Sequence, residues 1–174
     1  ALDTFAIDPA GSAALDVGAS TGGFTDLLLR RGALRVIALD VGRDQIVPEL
    51  RADPRVVVME GVNARELVPG DLPFAPDLLV FDVSFISLAK VLPACLALAA
   101  PEAALCALVK PQFEVGREAI GKGGIVRDAA AAAAAVDRVA DTVASLGWRL
   151  IGRTPSPIAG GDGNAEWLIG ARRP

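Results

Sequence analysis

From Leu15 to Thr25 the chain reads Leu-Asp-Val-Gly-Ala-Ser-Thr-Gly-Gly-Phe-Thr. A short apolar run passes through a Gly/Ser/Thr turn and opens an amphipathic segment, Phe24 to Arg31. Strand, glycine-rich turn and helix in this order build a nucleotide-type pocket, because glycine lets backbone approach a ligand and a helix N-terminus offers free N–H groups. The same residues could form an ordinary tight strand–helix turn of a parallel α/β protein. The spacing is not G-x-G-x-x-G, since Ala19 and Ser20 follow Gly18 and the next glycines are Gly22 and Gly23. Asp16 stands two residues before Gly18, where its charge would repel a pyrophosphate and attract the ammonium of a methionine-like tail. The pattern therefore favours S-adenosylmethionine over a dinucleotide. The expected contacts are Asp16, Gly18, Ser20, Thr21, Gly22, Gly23 and Phe24.

The rest of the chain suits that turn. Apolar runs at Ala13–Val17, Arg35–Leu39, Val56–Met59, Asp77–Phe81, Leu105–Lys110, Trp148–Gly152 and Glu166–Gly170 are expected strands. The early ones are apolar throughout, as in parallel strands covered on both faces. Helices are expected at Thr21–Arg31, Gln45–Arg51, Leu88–Leu98 and Asp128–Leu146. The last contains seven consecutive alanines, Ala129 to Ala135. A flexible spacer is the competing reading, but alanine is the strongest helix former. Asp128 suits an N-cap, Val136, Val139, Val143 and Leu146 make an inward stripe, and Gly147 supplies the stop. Leu2, Phe5 and Ile7 look like the end of a helix. We expect one α/β domain over residues 1–174: a Rossmann-like, seven-stranded, mostly parallel sheet with an antiparallel final strand and helices on both faces.

Composition excludes several chemistries. Without histidine, proton transfer falls to carboxylates, lysine or water, and a His-ligated metal site is excluded; no metal is expected. Cys95 and Cys106 lack C-x-x-C spacing and read as buried thiols of a reducing compartment. No signal segment is visible, and Pro93, Pro101 and Glu102 interrupt the apolar stretch Val91–Val109, so a cytoplasmic protein without membrane association is expected. The net charge of −4 argues against a broadly basic surface but leaves room for local cationic patches.

Ligands of open α/β sheets bind beyond the carboxyl ends of the strands. Asp40 and Val41 close the second strand, where the carboxylate can accept ribose hydroxyls or else cap Gly42–Gln45. Asn63 follows the third and could meet an adenine edge or cap a short helix. Asp82 and Lys110 end the fourth and fifth and should approach each other, with Glu166 on the final run. Lys110 could otherwise be a surface lysine before a proline turn.

Several blocks occur in the order of one family: Asp16–Thr25, Asp53–Val58, Asn63–Arg65, Asp82–Leu88 (Asp-Val-Ser-Phe-Ile-Ser-Leu), Leu108–Gly116 (Leu-Val-Lys-Pro-Gln-Phe-Glu-Val-Gly), Gly121–Gly124, Ser156–Pro157 and Gly163–Glu166. In these the chain resembles the catalytic domain of the TlyA-type (haemolysin-A-like) ribosomal RNA methyltransferases, relatives of the FtsJ/RrmJ ribose methyltransferases. The resemblance implies methyl transfer from S-adenosylmethionine to a ribose 2′-hydroxyl by a Lys-Asp-Lys-Glu set, of which Asp82 (also at the cofactor), Lys110 and Glu166 are present. It implies a first lysine and an S4-type RNA-binding domain ahead of Ala1. Neither is in this chain, which is expected to transfer weakly or not at all alone. Ribosomal RNA or ribosomal subunits are the implied partners. Arg117, Lys122 and Arg127, around the Gly121–Gly124 loop, are candidate phosphate contacts or a solvated basic loop. Gly42-Arg-Asp-Gln-Ile46 departs from the family's usual Gly-Tyr-Gly-Gln-Leu.

Other readings compete. One is a catalytically inactive module that binds S-adenosylmethionine or ribosomes. Another, a pore-forming haemolysin, lacks the amphipathic basic or membrane-spanning segment it needs. A dehydrogenase is disfavoured by the glycine spacing.

Overall fold

Each apolar run becomes a strand of one sheet. The computed structural model describes residues 1–116, 119–161 and 163–174. Its seven strands are β1 (Ala13–Val17), β2 (Arg35–Asp40), β3 (Val56–Glu60), β4 (Leu78–Phe81), β5 (Ala104–Val109), β6 (Arg149–Pro155) and β7 (Trp167–Arg172). They lie in the order β3-β2-β1-β4-β5-β7-β6. Pairing is parallel from β3 through β5, while β7 runs antiparallel to both β5 and β6.

The helices are α1 (Gly23–Arg30), α2 (Pro48–Arg51), α3 (Leu88–Ala97), α4 (Pro111–Glu114) and α5 (Ala129–Ser145). Successive side chains of a strand alternate between faces. Leu15, Val17, Ile37, Leu39, Leu79 and Phe81 pack under α3 and α5. Ala14, Val36, Ala38, Leu78 and Val80 face α1, α2 and the N-terminal turns. The short α4 follows β5 directly. The alanine tract is the first half of α5. Asp128 caps it by accepting from Ala130 N and Ala131 N at 2.8 and 3.2 Å, and Val136, Val139 and Val143 are buried.

Three expectations change. Residues 1–7 form turns rather than a helix end: Phe5 N and Ile7 N reach back to Ala1 and Leu2 carbonyls, while Leu2, Phe5 and Ile7 still enter the core. The segment 45–51 is helical only from Pro48, because a residue before proline is pushed to extended geometry, and Val47 has ψ 146°. The first helix begins at Gly23, since Gly22 adopts φ 102°. No helix among the described residues is long and apolar enough to cross a membrane, and none of their acidic and cysteine side chains cluster in threes that could hold a metal.

Candidate functional site

The carboxyl ends of β1, β2 and β4 surround a cleft of about 580 Å³, within the range of small-molecule sites. Gly18, Ser20, Asp40, Val41, Asn63 and Asp82 all line it. The turn after β1 is held down by Gly18 N and Ala19 N, which donate to Leu39 O, and by Ser20 N, which donates to Asp40 Oδ2 at 2.8 Å. Asp40 Oδ1 accepts from Gly42 N at 2.7 Å. The carboxylate thus shapes both flanking turns, and each oxygen retains a lone pair for a ligand hydroxyl. Asn63 also does both jobs. Its side chain caps the 3₁₀ turn Ala64–Glu66, accepting from Arg65 N at 3.2 Å and donating to Glu66 at 2.6 Å, while the residue lines the cleft.

The other expected contacts from the glycine segment lie off this wall. Gly22 faces Leu50 and Ile46, so Thr21, Gly22 and Gly23 turn the chain into α1. Phe24 lines a separate apolar groove of about 250 Å³ on the α1 side. Asp16 is fully buried behind the turn, 0% exposed, because alternation along β1 points it toward α1. Its Oδ2 accepts from Thr25 Oγ1 at 2.7 Å, and its Oδ1 has no partner. Burial pushes the carboxyl up to about 7, against the Thr25 hydrogen bonds; the Asp82 and Asp40 charges push the same way as burial.

That raised value has a sign. Between about pH 4 and pH 7 the unfolded chain has released the Asp16 proton while the folded one keeps it, so stability falls as pH rises and levels off above 7. Lifting a carboxyl this far corresponds to at most roughly 4 kcal/mol. Asp16→Asn keeps an acceptor for Thr25 and removes the titration. Urea unfolding at a series of pH values should therefore show the variant gaining on the wild type from pH 4 to 7. Parallel profiles would show that Asp16 is ionised throughout.

A second cleft of about 380 Å³ adjoins the first, with Ser84 and Phe85 bordering both. Lys110, Gln112, Phe113, Gly124 and Glu166 line it. Lys110 is not a free surface lysine. Its Nζ lies 2.7 Å from Asp82 Oδ1 and donates to Ser84 Oγ at 2.9 Å. Glu166 immediately precedes β7 and is only 8% exposed. Burial raises its carboxyl above the usual range, the Lys110 charge pulls it down, and Asp82 pushes it up. Asp82 and Lys110, at the ends of neighbouring strands, thus meet in one ion pair, and both of their charges act on Glu166.

Sequence reasoning passed over residues inside the blocks it singled out. Phe85 is 92% exposed, sits at φ 65°, and packs its ring 5.1 Å from that of Phe113. Glu114 accepts from Ser87 Oγ at 2.6 Å and Leu88 N at 2.7 Å, tying the start of α3 to α4. Burial raises its carboxyl; those two hydrogen bonds oppose the rise. Ion pair, ring contact and cap together join the Asp82–Leu88 and Leu108–Gly116 blocks into one structure. Lys122 and Arg127 are exposed on the neighbouring loop; Arg117 lies outside the described residues.

This strand order, with the glycine turn after β1 and an acidic residue ending β2, defines a Rossmann-like methyltransferase fold. The FtsJ-like methyltransferase family model matches residues 1–173, and the chain belongs to that family. It is 51% identical over 172 residues to the 16S/23S rRNA (cytidine-2′-O)-methyltransferase TlyA of Mycobacterium tuberculosis, covering 99% of this chain and 64% of the relative. A crystal structure from Lactococcus lactis, provisionally called a hemolysin, superposes with a TM-score of 0.96 at 43% identity, covering 99% of this chain and 83% of that one. The N-methyltransferase NodS of Bradyrhizobium japonicum, in complex with S-adenosyl-L-homocysteine, shares the fold at a TM-score of 0.68 and 15% identity, over 95% of this chain and 79% of that one. The chain thus spans a little under two thirds of its curated relative's length, 64%.

Proposed function

We propose that the chain binds S-adenosylmethionine and transfers its methyl group to a ribose 2′-hydroxyl of ribosomal RNA, in the cytoplasm. The observation that carries this reading is the Lys110 ammonium held by Asp82 and Ser84, beside buried Glu166, in a cleft that opens onto the pocket at the β1 and β2 ends. The 51% identity to a named ribose methyltransferase supports the same reaction.

The residues present fit the cofactor. The Asp82 and Asp40 charges both act on buried Asp16, and this gathering of carboxylates suits a ligand bearing a cationic sulfonium and ammonium and opposes a pyrophosphate. Gly18 leaves the backbone bare on the cleft wall. Asp40 would hold the ribose and Val41 and Asn63 the adenine side, while Asp16 would stand behind the turn at the amino-acid end, where a bound cation favours its ionised form. When bound, the cofactor supplies an electrophilic methyl on sulfur. Lys110 would orient the 2′-hydroxyl and, once its ammonium has passed a proton to solvent as substrate binds, would as the neutral amine take the hydroxyl proton, while Asp82 and Glu166 would hold the lysine at that oxygen. Orientation contributes up to ~7–11 kcal/mol and the base roughly 10²- to 10⁴-fold.

The RNA side is read from three features. Phe85, exposed at the junction of the two clefts, is suited to stack on an unpaired base, and Lys122 and Arg127 are placed for phosphates. With a net charge of −4, much of the electrostatic affinity for RNA must come from such local patches or from other parts of the protein. An intact Lys110–Asp82 pair favours an enzyme over an inactive binding module.

Calorimetric titration of residues 1–174 tests the cofactor. S-adenosylmethionine and S-adenosylhomocysteine should bind more tightly than NAD, and Asp40→Ala should weaken both by about tenfold or more, the loss of a charged hydrogen bond to ribose. Preference for NAD would overturn the cofactor reading. Nuclease digestion and mass spectrometry of ribosomal RNA treated with the intact enzyme should show the methyl on ribose; a methylated base would reject the reaction assigned here.

A further inference from the structure

Asn164 is an unusual core residue. It is 2% exposed, yet it sits in the connection between β6 and β7, two residues before Glu166. Both ends of its amide reach across to the Gly121–Arg127 loop. Oδ1 accepts from Val126 N at 3.0 Å, and Nδ2 donates to Gly124 O at 3.0 Å. Its own main-chain carbonyl accepts from Gly160 N at 2.9 Å. Gly124 on one side and Gly161 on the other line the Lys110 cleft together with Glu166. The Glu166 carboxylate is packed so closely under this turn that a Cβ on Gly160 would stand 2.6 Å from Glu166 Oε1.

We infer that Asn164 is a positioning residue for methyl transfer: its side chain pins the Gly121–Arg127 loop to the Gly163–Glu166 segment and so builds a wall of the substrate cleft that Lys110 also lines. The proposal rests on the methyltransferase reading above and adds a residue to it. The amide is the group this job requires. One buried side chain must accept from an N–H and donate to a carbonyl that both lie on another loop, and only a planar group with one donor and one acceptor does both at this length. A buried polar group left unmatched is costly, so the two loops are held together in one arrangement. Asn164 does not line the cofactor cleft. Its effect therefore belongs to the RNA-bound steps.

The test is Asn164→Asp in the intact enzyme, compared with wild type at each pH from about 5.5 to 8. The introduced carboxylate, when ionised, accepts from Val126 N but faces the Gly124 carbonyl with no proton. When neutral, it restores both bonds. Burial and the neighbouring Glu166 charge favour the neutral form, whereas exposed Lys122 and Arg127 on the facing loop favour the ionised one. At pH 8 we expect kcat/KM for RNA to fall by roughly ten- to a hundredfold, the range set by a broken buried hydrogen bond, with S-adenosylhomocysteine affinity unchanged within about twofold. The ratio of variant to wild-type rate should then climb as pH falls and approach one. Asn164→Leu, which can make neither bond, should show the loss with no recovery at low pH.

A flat ratio near one for Asn164→Asp would overturn the proposal. So would a parallel loss of cofactor affinity, or failure of both variants to fold, because either outcome makes Asn164 a support of the whole domain. A wild-type enzyme without ribose methylation would instead sink the functional reading, and the wild-type control distinguishes that failure from the others.

Discussion

Lys110→Ala is expected to lower methyl transfer to ribosomal RNA by about 10²- to 10⁴-fold, the contribution of a positioned general base, while S-adenosylhomocysteine binding stays within a few-fold of wild type. The split follows from geometry. Lys110 directly follows β5 and lines the second cleft, not the one where Gly18, Asp40 and Asn63 converge. Its Nζ is fixed by Asp82 at 2.7 Å and Ser84 at 2.9 Å, so removing it leaves the backbone of the cofactor cleft untouched. Lys110→Arg keeps the charge near Asp82 but cannot release a proton at ordinary pH, and a planar guanidinium does not reproduce an ammonium's geometry. Arginine should therefore preserve the fold and recover little of the rate. Asp82→Asn is expected to impair both steps, since Asp82 faces both the cleft and the lysine. Single-turnover transfer of a labelled methyl group, with binding measured in parallel, separates these effects. An alanine variant that methylates at a near wild-type rate would make Lys110 a bystander and remove the central residue of the proposed site.

Gly18→Ala should damage both stability and cofactor binding. Gly18 sits at φ 85°, and a Cβ there would stand 2.9 Å from the Asp82 carbonyl carbon and 3.3 Å from Val83 Cα. Both obstacles are backbone, at the end of the neighbouring strand β4, and neither can rotate away. The left-handed conformation costs a non-glycine residue about 1–2 kcal/mol, and overpacking adds about 1–3 kcal/mol. A loss of roughly 2–5 kcal/mol in urea unfolding is expected, the sum of those two costs. The only relief is to separate the β1 turn from the β4 end, the two segments that carry Ser20 and Asp82 into the cofactor cleft, so S-adenosylhomocysteine affinity should fall by more than about tenfold. Unchanged stability with unchanged affinity would show that the turn does not approach β4 as described.

Much of this is legible in the sequence alone. β1 begins and ends where its apolar run does, and α5 starts at the expected Asp128 cap. These are local effects: a non-alternating apolar run needs two covered faces, and alanines after a capping aspartate have no better conformation than helix. The strand ends likewise pointed to Asp40, Asn63, Asp82 and Lys110, since a parallel sheet brings those ends to one edge. The TlyA-type resemblance rested on blocks such as Asp82–Leu88 and Leu108–Gly116, and the family membership agrees with it.

What the chain alone did not disclose depends on contacts between distant segments. Periodicity says that Asp16 and Asp40 end strands, but not that Asp16 turns inward to Thr25, buried and without a partner for Oδ1, while Asp40 stays on the cleft wall. Which face each carboxylate takes is set by strand alternation relative to the helices packed on the sheet. The bonds of Glu114 to Ser87 and of Asn164 to Gly124 and Val126 span 27 to 40 residues; no local pattern encodes them, and only the order β1-β4-β5-β7 makes them neighbours. By itself the sequence determined the elements, the edge of the sheet where chemistry is placed, and the residue types available there. The tertiary structure alone decided which of those polar groups are buried against one another and which line a cleft, because burial and pairing are properties of juxtaposed segments rather than of any one of them.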